Sequence, residues 1–308
     1  MDKTKRGIAL FITLLIIASI LSIVAVSFSY LEKAQDDAGE TSALIQGNLL
    51  YKNTTNILKQ LFPKGKVDSK KLDTLYSIPM MLSEEKSEFM INLQCRPLMI
   101  GIPISWLDQH FVKKIPERYD LATDVLDYIL EKYEIKEPYE LKADIFAQIT
   151  GEREERSDYE PRLTKQRETL SREQFDRILF EYRLAYNDIN VYKVPWEKYF
   201  VFTKVTQNAI IDGEYLSAEL LSAAFDIPMD VVKSQWTIDL ESQQQKPTLA
   251  TFVAENGSGE TINSKLFSKE GLNALHCEET YAYRGSHYRF SFDYENERNA
   301  NFEFYGKI

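Results

Sequence analysis

From Ile8 to Phe28 the chain reads IALFITLLIIASILSIVAVSF, essentially without a charge. At the rise of an α-helix such a run reaches about 30 Å, the thickness of a bilayer core. Lys3, Lys5 and Arg6 stand just before it. A basic flank stays on the cytoplasmic side, so the rest of the chain is expected outside the cytoplasm. A cleavable secretory signal is the rival reading, with Ala25-Val26-Ser27 as its processing site. Such signals have a shorter apolar core, which favours a retained anchor.

The apolar character does not stop at Phe28. Leu31, Ala34, Ala38, Ile45 and Leu49, then Ile57, Leu58 and Leu61, recur at intervals of three and four residues. That is the period of a helix with one apolar face. Pro63 and Gly65 punctuate its end. One helix approaching about 50 residues is expected, half in lipid and half outside it, with a membrane helix followed by a separate juxtamembrane helix as the alternative. Gly39 and Gly47 each cost such a helix about 1 kcal/mol relative to alanine.

Past this helix the pattern is mixed. Met90 to Leu93 and Leu98 to Ile104 read as strands, with Pro97 and Pro103 confining them to edges or short pieces. From Pro116 the chain turns helical. Tyr119, Ala122, Leu126, Ile129, Leu130 and Tyr133 form a stripe, and a second helix follows over Tyr139 to Ile149. Ser171 with Gln174 makes a capping box, Ser217 caps a further helix that stops before Pro228, and Asp230 opens a last short one ending near Trp236. Tyr288, Phe290, Phe292 and Tyr294 then alternate strictly with polar residues, which is a strand with one buried face. A turn over 295–300 and a second alternation at Phe302 and Phe304 complete a hairpin, joined in one antiparallel sheet by Thr248 to Val253 and Thr280 to Tyr283. The fold class expected is α+β, a helical block set between strand-bearing segments.

Chemistry-bearing motifs are few. The formal charge of -10 argues against nucleic acid, and no basic cluster follows the first six residues. His110, His276 and His287 have no metalloprotease spacing, and neither a nucleophile elbow nor a glycine-rich phosphate loop occurs. His276 adjoins Cys277, but neighbours on a strand point to opposite faces, so adjacency is not contact. Cys95 and Cys277 lie in the exported portion, where a disulfide is permitted; two buried thiols are the alternative. Glu152, Glu154, Glu155 and Asp158 offer the hard oxygen ligands that calcium takes. Arg153, Arg156 and Arg162 offer them partners on a solvated surface instead.

The segment Lys5-Arg6-Gly7 followed by Ile8-Ala9-Leu10 and a long apolar helix resembles a type IV prepilin leader. The resemblance implies cutting between Gly7 and Ile8 by a prepilin peptidase, methylation of the new N-terminus and retention of the apolar helix. Most pilins carry a glutamate at the fifth mature position; here that position is Ile12. Lack of that glutamate, together with Arg6-Gly7-Ile8-Ala9-Leu10, is similar to the minor pseudopilin K family of type II secretion systems. Met90-Ile91-Asn92-Leu93 and Ser217-Ala218-Glu219-Leu220-Leu221 resemble later motifs of that family, whereas Asp212-Gly213-Glu214-Tyr215-Leu216 departs from its asparagine-rich approach.

The resemblance implies a pilin-like long N-terminal helix packed on an antiparallel sheet, with a large inserted helical domain. It divides the chain into a leader (1–7), transmembrane (8–30) and periplasmic (31–62) parts of the helix, a first part of the body (63–115), the inserted domain (116–236) and C-terminal antiparallel strands (237–308). It implies no enzyme, but a subunit of the inner membrane, with its body in the periplasm, that caps a pseudopilus. Its partners would be minor pseudopilins I and J, other pseudopilins and the inner-membrane assembly platform, with contacts extending to the secretin or secreted cargo. No cofactor is required; calcium is the one ion implied, with the acidic run from Glu152 to Asp158 as the nearest match. A minor pilin of a type IV pilus and a membrane-tethered periplasmic ligand-binding or sensory domain are the alternatives.

Overall fold

A computed structural model of the chain describes residues 3–63, 68–83, 90–151, 170–236, 247–257, 261–283, 285–295 and 298–307. The first element, α1 (Lys3–Leu61), is a single helix of 59 residues. No proline interrupts it, and Pro63 ends it by disfavouring helical backbone at the residue before. A short α2 (Ser69–Ser77) follows, its N-terminus capped by the Asp68 carboxylate on the Lys71 amide. Strands β1 (Met80–Ser83) and β2 (Met90–Pro97) come next.

Between β2 and the remaining strands lies the helical block: β3 (Ile102–Pro103), α3 (Glu117–Lys132), α4 (Pro138–Thr150), α5 (Arg172–Tyr186), α6 (Trp196–Tyr199), β4 (Phe200–Val201), α7 (Ala218–Phe225), α8 (Met229–Gln235) and α9 (Leu249–Asn256). The chain then closes with β5 (Ala274–Tyr283), β6 (Ser286–Glu295) and β7 (Arg298–Lys307). Among the described residues the main sheet has the order β1-β2-β5-β6-β7, antiparallel throughout. The fold is thus α+β, with a long helix packed on an antiparallel sheet and helices inserted between its second and third strands.

Two cores hold this together. One is the helix–sheet layer, where Tyr288, Phe290, Phe292 and Tyr294 of β6 face α1, as their alternation requires. The other belongs to the insertion and contains all three tryptophans, Trp106, Trp196 and Trp236, each buried. A small cluster of Leu98, Met99, Val201, Ala209 and Ala274 lies between the two. The insertion leaves and rejoins the sheet at one point, since Pro97 is paired with Leu275 and the Leu98 amide donates to the Ala274 carbonyl.

Several local expectations are corrected. Thr248 to Val253 is not a strand: the Thr248 hydroxyl caps α9, accepting from the Thr251 amide. Of Leu98 to Ile104 only Ile102–Pro103 is extended, and it pairs in parallel with β4 inside the insertion. Of the turn expected over 295–300, Glu295 and residues 298–300 belong to the paired strands β6 and β7, and residues 296 and 297 lie outside those described. The residue preceding α8 is Pro228, with Asp230 in the first turn rather than at the cap. The Ser171–Gln174 capping box and the Ser217 cap form as expected.

The largest correction concerns α1. Of the stripe read from the sequence, Leu31, Ile45, Leu49 and Ile57 are 54%, 59%, 54% and 42% exposed. Of that stripe Leu58 is fully buried and Leu61 partly so, and the face against the sheet is Ala43, Gly47, Leu50, Thr54, Leu58 and Phe62. This face carries small and hydroxylated residues, which hydropathy does not mark, because the sheet approaches closely and offers it polar partners.

Candidate functional site

The candidate site is α1 itself, through its two faces. The docked face is held at three heights. Tyr281 donates its hydroxyl to the Ala43 carbonyl, Thr54 donates to Glu279 over 2.8 Å, and Tyr294 donates to the Phe62 carbonyl over 3.3 Å. Gly47 lies beside the first of these. A Cβ there would come within 3.0 Å of the Tyr281 hydroxyl, so the glycine permits the close approach.

Among the described residues, the helix N-terminal to the docked stretch is exposed on every side. The described side chains from Ile17 to Ala38 are exposed along the helix, among them Leu21, Ile23, Phe28 and Tyr30, 62–73% exposed. Ile45 and Leu49 continue this apolar surface alongside the body. A contiguous apolar surface of this length on one chain marks a place where something else packs. Among the described residues no helix is long and apolar enough to cross a membrane. Part of the expected anchor over 8–30, residues 8–16 and 18, has side chains outside those described. The side chains of Ile8 and Ile12 lie outside them too, as does any account of Gly7 beyond its place in α1.

At the neck of the insertion, Cys95 of β2 and Cys277 of β5 stand directly opposite one another and their sulfurs are bonded. The bond lies just inside the point where the insertion leaves and rejoins the sheet. His276 points to the other face of the sheet. Its Nδ1 lies 2.7 Å from Asp293 Oδ1, while Asp293 Oδ2 accepts from Thr203 and Asn301. Asn301 has a left-handed backbone (φ 52°) at the irregularity where β7 shifts register against β6. Thr203 donates to the carboxylate rather than to the imidazole, so no nucleophile–base–acid chain is formed. The cluster ties the segment after β4 to the sheet.

A second tie is built on Asp212. Its carboxylate accepts from the amides of Glu214, Tyr215 and Leu272 over 2.8–3.0 Å. Burial pushes its carboxyl up to about 6, against the three amides that pull it down. Glu214 Oε2 accepts from the Gly271 amide and the Ser69 hydroxyl, and Tyr215 donates to Asp73 over 2.6 Å. A Cβ on Gly213 would meet the Ser268 carbonyl oxygen at 2.0 Å, so the loop can follow this path only with glycine there. The segment Asp212 to Tyr215 thus joins the insertion to α2 and the return strand. The sequence marked it only as a departure from a motif.

Among the described residues no group of three or more His, Cys, Asp or Glu is placed to hold a metal ion. Glu152, Glu154, Glu155 and Asp158 lie outside the described residues. Sequence reasoning also missed Thr54, Glu279 and Tyr281. A Glu inside an otherwise apolar alternation in β5 was the one available signal.

No protein-family model matches this chain, and no curated protein matches it. Among solved structures it is similar to a chain in the crystal structure of the GspK-GspI-GspJ complex from the type 2 secretion system of enterotoxigenic Escherichia coli. The identity is 10%, the match covers 86% of this chain and 98% of that one, and the TM-score is 0.48. The likeness is one of outline.

Proposed function

We propose that this chain is a non-enzymatic minor pseudopilin, which packs its long helix among the helices of like subunits and sits at the tip of a short periplasmic pseudopilus. The observation that carries the reading is the division of labour on α1. One face of the stretch from Ala43 to Phe62 is committed to the sheet, while Ile17, Leu21, Ile23, Phe28, Leu31, Ile45 and Leu49 stand exposed. In water such a surface is costly, and lateral helix packing, continued in lipid toward the N-terminus, removes it.

The leader resemblance supplies the rest of the proposal. Cleavage falls between Gly7 and Ile8 by prepilin peptidase, with methylation of Ile8. Ile12 replaces the usual carboxylate, which at a tip position would have no N-terminus above it to neutralise and would be costly in lipid. Minor pseudopilins I and J are the proposed neighbours, with the assembly platform below and secretin or cargo above. Calcium at Glu152, Glu154, Glu155 and Asp158 is proposed as an accessory ion only.

The N-terminal mass of the membrane-extracted chain tests the reading. A start at Ile8 supports it, and co-purification with type II pseudopilins separates it from a minor pilin of a type IV pilus. A start at Met1, or beyond Ser27, excludes it in favour of a membrane-tethered or secreted domain.

A further inference from the structure

Glu279 occupies the middle of β5, between Leu93 of β2 and Phe290 of β6, and faces α1. It is fully buried. Thr54 of α1 donates to its Oε2, while its Oε1 meets no donor among the described residues. Around it the layer is apolar: Leu50 and Leu58 of α1, Leu93 of β2, and Phe290 and Phe292 of β6. Among the described residues the titratable groups in this layer are the phenols of Tyr51, Tyr76, Tyr215, Tyr281, Tyr283, Tyr288 and Tyr294. The charged residues nearby look elsewhere. Lys52 and Lys59 of α1 are exposed, Glu278 and Arg289 pair with each other on the far face of the sheet, and Asp73 of α2 is held by Tyr215. No ion pair among the described residues includes Glu279.

A carboxylate in such a layer, with a single neutral donor and no cation, is costly, whereas the neutral acid is tolerated. The geometry points to a proton-set latch: protonated Glu279 holds α1 against the sheet, and its ionisation loosens the docked stretch from Ala43 to Phe62. Burial pushes this carboxyl up to about 7, which places the change near neutral pH. The folded value lies above the ordinary carboxylate value of 4.5. The stabilisation is therefore fully present below that ordinary value and is lost as pH rises through about 7. The latch concerns the chain's own helix–sheet contact and holds whether or not the chain enters a pseudopilus.

The test is hydrogen exchange of α1 in the full chain, held in a lipid nanodisc and corrected for intrinsic base catalysis. In the wild type, protection over residues 43–62 falls about tenfold or more between about pH 6 and about pH 8. Glu279→Gln keeps the shape and a hydrogen-bonding group, and its protection stays level across that range. Thr54→Val removes the donor to the charged form and moves the midpoint upward. A level wild-type profile overturns the latch, and so does an unchanged pH dependence in Glu279→Gln. A carboxyl-carbon NMR titration of the wild type reads the same group without a variant; a Glu279 midpoint in the ordinary carboxylate range would likewise overturn it.

Discussion

Tyr281, in the third strand of the sheet, donates its hydroxyl to the backbone carbonyl of Ala43 in α1, one helical turn before Gly47. A long helix has no intrinsic reason to sit at one height on a sheet. This bond, with Thr54–Glu279 and Tyr294–Phe62, gives α1 a register. Tyr281→Phe keeps the ring and loses the bond, and is expected to cost about 1 kcal/mol. Gly47→Leu forces the helix away from the ring and is expected to cost about 1–3 kcal/mol despite leucine's better helix propensity. Urea unfolding ranks the two; a stabilised Gly47→Leu chain would contradict the close approach.

The faces of α1 make a sharper pair of predictions. Leu58→Ala opens a cavity in the helix–sheet layer and should cost about 2–4 kcal/mol. Ile45→Asn with Leu49→Asn should change the stability of the body by no more than about 0.5 kcal/mol each. The same double variant should lose cross-links placed along residues 45–49 between α1 and neighbouring helices outside the membrane. If it unfolds the body, the exposed face has been assigned wrongly.

The disulfide at the neck closes a loop that holds the whole insertion, since Cys95 and Cys277 are 182 residues apart. Cys95→Ser with Cys277→Ser is expected to lower stability by about 3–5 kcal/mol, if the entropy of the unfolded chain dominates. Unfolding with and without reductant measures this. Equal midpoints would show that the ties at Asp212 and Asp293 hold the neck without it.

Asp212 predicts a second pH dependence, on the acid side. Its folded carboxyl, raised to about 6 from an ordinary 3.8, contributes stability that is fully present below the ordinary value and lost as pH rises through about 6. Asp212→Asn should flatten thermal stability over that window. It should also cost about 1–3 kcal/mol at every pH, because its amide group would face the Leu272 amide donor to hydrogen donor. An undiminished slope between about pH 4 and about pH 6 would assign the dependence to another group.

The capping box at Ser171 and Gln174, the Ser217 cap and the alternation of Tyr288, Phe290, Phe292 and Tyr294 were legible because each is a local signal, complete within a turn or a strand. Thr248 to Val253 was not. A short apolar run rich in Thr, Phe and Val fits strand or helix by periodicity alone, and the Thr248 cap together with burial of Leu249, Phe252 and Val253 in the insertion decided for helix.

The sequence by itself determined that roughly the first 60 residues are helical and their N-terminal half apolar on every side, and that helices stand between the first strands and the last ones. Local periodicity and the positions of proline were enough for that. That α1 runs unbroken through Gly39 and Gly47 came from the structure. Only the tertiary structure decided which face of α1 meets the sheet. Ile45 and Leu49 are the more hydrophobic choice, yet Gly47 and Thr54 are the ones that dock, because Tyr281 and Glu279 need a close, hydrogen-bonding surface. Those partners lie more than two hundred residues away in the chain. The same is true of Cys95 and Cys277: sequence showed that a bond was permitted, and the pairing of β2 with β5 brought the two sulfurs together. What depends on neighbours in sequence could be read; what depends on neighbours in space had to wait for the fold.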